Sequence, residues 1–313
     1  MRIAHISDLH VLALEGAVPL RLFNKRAMGY ANLRLNRAHR HKSDVVRAIA
    51  AHLANSRIDH VVVSGDLSNL ALEAEFERVR TILEEDLGLA PDAVTIVPGN
   101  HDVYTRGAEK KRRFSHFFSR YLASELPDCR TSHPGGMFPV VKLVGPAAVI
   151  GLSSAVARPP FVASGKLGED QLRALEQILA NPALAGKTPV IVLHHPPHNP
   201  PGWLDARLNG LADADRLHRA LAPLSRGLLL HGHLHRRVRR RLVTERGHLD
   251  ALGATSASLL HPSDERRAGY NLYEIADDGS IAPPASFVYD ESTQGFTSVP
   301  IPDDAPDRPP AAP

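Results

Sequence analysis

Short apolar runs recur between the N-terminus and residue 230, and each has the length of a buried strand. These runs cover residues 3–6, 60–63, 94–97, 190–193 and 228–230. Apolar residues at helical spacing lie between them, from Ser43 onward and over 73–87, 110–122, 169–179 and 212–221. Strands that alternate with helices in this way predict βαβ units and a largely parallel sheet.

The remaining patterns are mostly β-like. Residues 140–144 and 148–152 predict a hairpin, and four further strands are expected over 238–243, 249–252, 270–275 and 287–289. From about residue 299 the chain is rich in Pro, Asp and Ala. This composition predicts a flexible tail over residues 299–313.

Composition excludes several classes of protein. The chain has 313 residues, of which 43% are hydrophobic and 23% charged, which is typical of a soluble globular protein. No apolar stretch is long enough for a transmembrane helix, and the N-terminus does not resemble a signal peptide. One cysteine excludes an internal disulfide and, with those two observations, favours the cytoplasm. A net charge of +3 argues against a nucleic-acid partner.

Metal-binding residue types follow the carboxyl ends of five predicted strands. They are Asp8 and His10, then Asp66, then Asn100 and His101, then His194, and last His233 and His235. Ligands of open α/β sheets bind outside the carboxyl ends of the strands, so we expect these side chains to meet in one crevice. With 18 histidines and one cysteine, the sequence predicts a two-metal centre with nitrogen and oxygen ligands.

The five blocks D-L-H, G-D-L, G-N-H-D, H-H-P-P and G-H-L-H resemble the signature of the calcineurin-like metallophosphoesterase family, over about residues 1–260. The resemblance implies an α/β fold in one domain over residues 1–298. That fold is a four-layer α-β-β-α sandwich of two mixed β-sheets flanked by helices. It also implies two transition metal ions, each of which could be Mn, Fe, Zn, Ni or Co.

The resemblance also assigns roles to residues. One metal would be held by Asp8, His10, Asp66 and His235, and the second by Asp66, Asn100, His194 and His233. Asp66 would then bridge the two ions. His101 would lie over the phosphate and help the leaving oxygen, and Asp102 is expected to orient His101 as a second catalytic residue.

The implied reaction is hydrolysis of a P–O bond by in-line attack of a metal-bridging hydroxide. A phosphodiesterase or pyrophosphatase is the favoured interpretation. Cyclic nucleotides, glycerol-type diesters and nucleotide-linked lipid intermediates such as UDP-diacylglucosamine remain open as substrates. A non-catalytic binding scaffold on the same fold is the alternative outside the enzyme class, although such relatives usually lose ligands and this chain has them all.

Five further residues are candidate substrate contacts. Tyr104 and Arg106 follow the G-N-H-D block, although both fit an ordinary loop equally well. His195 adjoins His194, and a structural role is favoured for it. Trp203 is suited to stacking on a base or sugar, or to packing on the core as a loop anchor. Arg237 belongs to a basic run over 236–241 that would form either an anion-binding rim or a solvated face.

Residues 11–42 form a basic, apolar insertion. A helical cap over the active site or a subunit interface is the favoured interpretation. The alternative is an interfacial segment over 19–38 that places the protein at the inner membrane surface. Outside the motifs, His5 and His231 are expected in the core. His39, His41, His52 and His60 are expected at the surface.

Overall fold

The computed structural model describes residues 1–13, 41–103, 106–159 and 161–304. Within these ranges no helix is both long and apolar enough to span a bilayer. The strands are β1 (Arg2–Ile6), β2 (His60–Val63), β3 (Val94–Ile96), β4 (Thr131–His133), β5 (Gly136–Phe138), β6 (Val140–Val144), β7 (Ala147–Gly151), β8 (Thr188–Val192), β9 (Leu228–His231), β10 (Val238–Val243), β11 (His248–Gly253), β12 (Gly269–Glu274), β13 (Ala285–Asp290) and β14 (Gly295–Val299).

Seven α-helices connect these strands in the described part of the chain. They are α1 (Ser43–Ala54), α2 (Glu73–Thr81), α3 (Arg106–Lys110), α4 (Arg113–Phe117), α5 (Glu169–Leu179), α6 (Trp203–Asn209) and α7 (Ala214–Leu221). A π-helical segment, Ile82–Leu87, continues α2. The single helix expected over 110–122 is broken because Arg112 adopts a left-handed conformation, with φ 47°, between α3 and α4.

Two six-stranded sheets form the centre of the molecule. The first has the strand order β14-β13-β12-β1-β2-β3, and the second has the order β10-β11-β9-β8-β7-β6. Parallel pairs join β1 to β2 and β2 to β3, while β1 and β12 are antiparallel. The second sheet likewise mixes parallel and antiparallel pairs. Both sheets are therefore mixed, as the resemblance implied.

Alternate residues of each central strand face different apolar layers. Val190 and Val192 of β8 join the core shared with the first sheet and with α1. Ile191 between them faces outward and packs in a cluster with α5 and α7. This alternation produces the layer order helix, sheet, sheet, helix, and it confirms the four-layer sandwich.

The C-terminal segment departs from prediction. The Arg239 backbone amide donates to the carbonyl of Pro302 at 2.8 Å, and the Asp304 amide donates to the carbonyl of Arg239 at 2.8 Å. Because β10 is an edge strand, its outer backbone groups need partners, and this segment supplies them. The expected tail is therefore wrong for residues 299–304. Residues 14–40 and 305–313 lie outside the described residues. The first range includes most of the predicted cap and all of the predicted membrane segment over 19–38.

Candidate metal centre

The loops after β1, β2 and β9 bring one group of predicted ligands together. His235 Nε2 lies 3.1 Å from Asp8 Oδ1 and 3.0 Å from His10 Nε2. His10 Nε2 is 3.9 Å from Asp66 Oδ2. Two ligand atoms at about 2.0–2.2 Å from a common ion are separated by roughly 2.8–3.6 Å at octahedral or tetrahedral angles. The four side chains therefore converge at close to the spacing that one ion requires.

A second group gathers on the other side of Asp66, from the loops after β3, β8 and β9. His194 Nε2 lies 3.4 Å from Asp66 Oδ2 and 3.1 Å from Asn100 Oδ1. His233 Nδ1 is also 3.1 Å from Asn100 Oδ1. Since Asp66 belongs to both groups, its carboxylate is placed to bridge two ions.

Backbone carbonyls orient the histidines of the second group. His194 Nδ1 donates to the carbonyl of Ser64 at 2.8 Å, and His233 Nε2 donates to the carbonyl of Asn209 at 3.0 Å. A carbonyl only accepts hydrogen bonds, so each contact fixes the protonated nitrogen. The opposite nitrogen of each ring then faces the site, which is the orientation of a ligating histidine once that nitrogen is unprotonated.

Two buried atoms in the first group have no hydrogen bond. Asp8 Oδ1 and His10 Nδ1 are both buried without a hydrogen-bond partner, although His235 Nε2 lies close to that oxygen. An unsatisfied buried carboxylate oxygen is destabilising unless a cation compensates it. The donor set contains only oxygen and nitrogen, which suits Mn, Fe, Zn, Ni or Co. The residues present therefore fit two transition metal ions.

Five of the predicted ligands adopt left-handed backbone conformations. Asp8 has φ 51°, His10 45°, Asp66 51°, His233 69° and His235 48°. This region costs a residue with a side chain about 1 kcal/mol or more, and such strain concentrates at functional sites. The ligand loops are thus held in place against their own conformational preference.

Two glycines make room for the ligand carboxylates. A Cβ atom on Gly99 would lie 2.1 Å from Asp66 Oδ1, and one on Gly232 would lie 2.4 Å from Asp8 Oδ2. Neither position has space for a larger residue. The glycines of the G-N-H-D and G-H-L-H blocks therefore serve close packing of backbone against ligand.

The charge states around the site suit metal binding. Burial alone would raise the pKa of Asp66, but His194 and His101 outweigh it and hold that pKa well below its usual range. Burial and the neighbouring His235 hold the pKa of His10 well below its usual range, and burial lowers the pKa of His233 to about 4. Burial also lowers the pKa of His194, but Asp66 outweighs it and raises the pKa to about 9. A metal ion at His194 therefore displaces a proton.

His101 lies beside the candidate centre and lines the cleft above it. Its Nδ1 donates to the carbonyl of Asn69 at 2.7 Å, and its ring is 5.0 Å from that of His10. One of its nitrogens lies within 4.8 Å of ligand atoms of His10 and Asp66. The orienting group for His101 is thus a backbone carbonyl that the sequence did not indicate.

The role predicted for Asp102 is wrong. Its buried carboxylate accepts hydrogen bonds from the amides of Leu67, Ser68 and Gly99 at 2.9–3.1 Å, and from Ser68 Oγ at 2.9 Å. These bonds tie the loop after β2 to the loop after β3 and engage both carboxylate oxygens, and Asp102 does not line the cleft. Asp102 is a positioning residue for the ligand loops and does not orient the His101 ring.

His195 also has no access to substrate. It is buried, its Nδ1 is 2.8 Å from Ser154 Oγ, and its Nε2 donates to the carbonyl of Ala163 at 2.7 Å. Its ring packs 4.6 Å from that of His233. With both nitrogens engaged by protein groups, His195 supports a ligand from behind, and its candidacy as a substrate contact is wrong.

The basic run contributes a different arginine from the one predicted. Arg237 is buried, and its guanidinium donates to Ser286 Oγ and to the carbonyl of Asp264. Because β10 begins only at Val238, the strand alternation that placed Arg237 on a rim does not reach it. Arg240 lines the cleft instead and forms a 2.9 Å ion pair with Asp304.

Trp203 opens α6 and is 75% exposed, so it is not a packed loop anchor. Tyr104 and the side chain of Arg106 lie outside the described residues. His60 is buried and bonded to Thr95 Oγ1 at 2.8 Å, contrary to the expected surface position, whereas His5 and His231 are buried as expected.

Sequence reasoning missed His41. Its ring lies 5.2 Å from that of His10 and 5.9 Å from that of His235, and its Nδ1 is 2.7 Å from Ser258 Oγ. No motif surrounds His41 in the sequence, and only the fold brings it close to His10 and His235. His41, expected at the surface, is half-buried beside these ligands.

A cleft of about 520 Å³ opens from the centre to solvent. Asp66, Asn100, His101, His233 and His235 form its floor. Its walls are largely apolar and include Pro196, Pro200, Pro201, Leu234 and Val238. Among the described residues that line it, Arg240 is the only arginine or lysine.

The chain resembles known phosphoesterases in sequence and in fold. The model of the calcineurin-like phosphoesterase family matches residues 1–237. A dimetal phosphatase from Danio rerio has a similar structure, with a TM-score of 0.54 and 14% identity over 91% of this chain and 95% of that one. A purple acid phosphatase from yellow lupin (Lupinus luteus) seeds is also similar, with a TM-score of 0.57 and 9% sequence identity. The match covers 97% of this chain and 54% of the lupin chain. At these identities the likeness is one of fold. Comparison with curated proteins finds no matching sequence.

Proposed function

The chain belongs to the calcineurin-like phosphoesterase family, and we propose that it cleaves phosphodiesters or diphosphates rather than phosphate monoesters. A metal-dependent phosphoester hydrolase is the common ground of the family and of the ligand set. The cleft beside the metal centre carries the finer proposal, because its charge and shape differ from what a monoester requires.

Charge is the first consideration. A phosphate monoester has a second pKa near 6 and is close to a dianion at neutral pH, whereas a diester carries a single charge. Arg240 is the only arginine or lysine among the described lining residues, and it pairs with Asp304. Asp205 adds negative charge to the same wall. Apart from the metal ions, this wall favours a singly charged phosphate.

Shape is the second consideration. A diester carries a substituent on each side of phosphorus, and the cleft continues past the ligands along walls of proline, Leu234 and Val238. Apolar walls with a few polar groups at the floor are usual for sites that bind an organic substituent. The second ester group would lie along these walls.

The protein groups divide the work between holding and proton transfer. When bound, the two ions supply Lewis acidity and lower the pKa of bound water. Asp66 would hold both ions, and the carbonyls of Ser64 and Asn209 hold the rings of His194 and His233. His101, oriented by Asn69, is placed to donate a hydrogen bond to the phosphate or a proton to the leaving oxygen.

A substrate panel with Mn²⁺ tests the proposal. It comprises an aryl diester, an aryl monoester, cyclic AMP and UDP-diacylglucosamine. We expect kcat/KM for the aryl diester to exceed that for the monoester at least about tenfold, which corresponds to about 1.4 kcal/mol of discrimination. The last two substrates separate cyclic nucleotides from lipid-linked diphosphates. Faster turnover of the monoester would contradict the proposal.

A matched pair of variants ties the activity to the centre. Asp66→Asn removes the bridging charge and should abolish hydrolysis of the diester. Asp215→Asn makes the same change on an exposed position of α7 and should leave it unaltered. Equal activity of the two variants would exclude the two-metal centre as the site of reaction.

A further inference from the structure

Helix α6 is unusual because none of its residues is buried. Its first two residues are large and apolar, and Trp203 is 75% and Leu204 52% exposed. Phe161 on a neighbouring loop is 84% exposed. We call these three residues the apolar rim. A surface helix normally turns its apolar residues toward the core, and clustered exposed apolar residues mark binding surfaces.

The apolar rim is connected to the metal centre through its own helix. Asn209, at the end of α6, accepts the hydrogen bond of the ligand His233, and both Asp205 and Asn209 line the cleft. At 1.5 Å per residue, Trp203 begins about 9 Å along the helix from Asn209. An extended substituent on a phosphate at the centre can therefore reach the rim.

The loop that carries Phe161 is joined to the same helix. Ala163 donates its amide to the carbonyl of Leu208 at 2.8 Å, and Gly165 donates to the carbonyl of Gly210 at 2.9 Å. Ala163 also lines the cleft. The two segments that carry the apolar rim therefore both contribute to the cleft wall, α6 through Asp205 and Asn209 and the loop through Ala163.

We propose that the apolar rim binds a hydrocarbon chain carried by the substrate, which makes the substrate class an alkyl or acyl-bearing phosphodiester or diphosphate. This proposal rests on the proposed function. It follows from continuity, because Pro200 and Pro201 in the cleft wall lead directly into α6. The prolines, Leu234 and Val238 give the cleft an apolar surface beside its polar lining residues, and a hydrocarbon chain gains binding energy along such a surface.

A chain-length series measures this directly. The substrates are p-nitrophenyl alkyl phosphates that carry a methyl or an octyl group, kept below the micelle concentration. A fully buried methylene contributes about fourfold to affinity, so even partial burial of the longer chain gives a large effect. We expect kcat/KM for the octyl ester to exceed that for the methyl ester at least about tenfold.

Variants then locate the effect. Trp203→Ala and, separately, Phe161→Ala should reduce the octyl-to-methyl ratio toward one. Val243→Ala, which removes another strongly exposed apolar side chain at the far end of β10, should preserve it. A ratio near one in the wild type, or an equal reduction by Val243→Ala, would overturn the proposal.

Fluorescence gives a readout that does not require turnover. Trp203 is the single tryptophan of the chain, so its emission reports the rim alone. Octyl phosphate should shift the emission to shorter wavelength, and methyl phosphate should not. If the shift occurs while no diester is hydrolysed, the proposed function fails and the rim stands. Absence of a shift with octyl phosphate would overturn the proposed role of the rim. A shift that depends on protein concentration without ligand would also overturn it and would indicate self-association.

Discussion

The metal centre and the apolar rim lie within one helix length of each other and are built in opposite ways. Every ligand loop of the centre follows a buried strand, and five ligand residues are held in left-handed conformations. The rim residues lie on a short helix without a buried residue and, for Phe161, at an exposed position of a loop. Many contacts hold the backbone of the centre, which keeps the ligand geometry fixed. The rim has little support from its neighbours, so its side chains can be replaced with little loss of folding stability.

This contrast separates how the two regions should respond to substitution. At the centre, one added methyl group meets a ligand atom. At the rim, whole side chains can be removed without leaving a cavity. The comparison therefore predicts large losses of metal and activity at one end of α6 and small changes of specificity at the other.

The largest effect is expected for Gly99→Ala. The new Cβ would meet Asp66 Oδ1 at 2.1 Å and displace the bridging carboxylate. We expect loss of at least one metal ion and a fall in activity of about 100-fold or more. Gly202→Ala is the matched control at the rim, since its nearest neighbour would be 3.8 Å away. Elemental analysis of both variants measures their metal content. Two bound ions in Gly99→Ala would contradict the prediction.

A smaller effect is expected for Asp102→Asn. The amide can accept from fewer of the donors of Leu67, Ser68 and Gly99, so the two ligand loops separate. Loss of such supporting contacts typically weakens metal affinity about 10- to 100-fold. A metal titration that follows activity measures this. If the affinity is unchanged and only thermal stability falls, Asp102 has no positioning role.

Glu75 accepts hydrogen bonds from the amides of Leu70 and Leu72, in the segment that follows Asp66. Burial raises the pKa of Glu75 from 4.5 to about 8. The folded chain therefore binds this proton more tightly than the unfolded chain, and the stability that it supplies falls as pH rises from about 4.5 to 8.

Glu75→Gln should remove this dependence. The free energy of unfolding in urea is measured at pH 6 and at pH 8 for both proteins. From pH 6 to pH 8 it should fall further in the wild type than in the variant, by on the order of 1 kcal/mol or more. An equal pH dependence of the two proteins would show that Glu75 does not titrate in this range.

The smallest effect is expected at Arg240, which lines the cleft. Arg240→Gln removes a partly exposed cation and its ion pair with Asp304, a pair of the kind worth about 0–1 kcal/mol. We expect kcat/KM for a diester to fall a few-fold without loss of stability. Arg237→Gln should do the reverse, because that guanidinium is buried, is bonded to Ser286 and Asp264, and does not line the cleft. The same loss of activity in both variants would contradict the separate roles assigned to Arg240 and Arg237.

The sequence predicted the centre better than its surroundings. The convergence of the candidate ligands was predictable because parallel strands end at the same edge of each sheet, so residue type and strand position together indicate a shared location. The strand over 60–63 and the helix over 169–179 coincide with β2 and α5 because their apolar periodicity is strong.

The errors share a different physical cause. Asp102 and Arg237 were placed by sequence proximity, whereas their partners come from other segments, such as the loop after β2 for Asp102 and residues 264 and 286 for Arg237. His41 approaches His10 across 31 positions of the chain. Residues 299–304 pair with an edge strand that local composition cannot reveal. Contacts of this kind depend on the assembled fold.

The left-handed ligand residues bear on how long the molecule persists. Five such residues at about 1 kcal/mol each amount to about 5 kcal/mol, which is comparable with the whole stability of many domains. Metal ions that bind only the folded chain offset this by mass action. When metal is scarce, the chain should open more often and become a substrate for proteases. Its abundance would then follow the metal supply, so that molecules unable to catalyse are also the first to be removed.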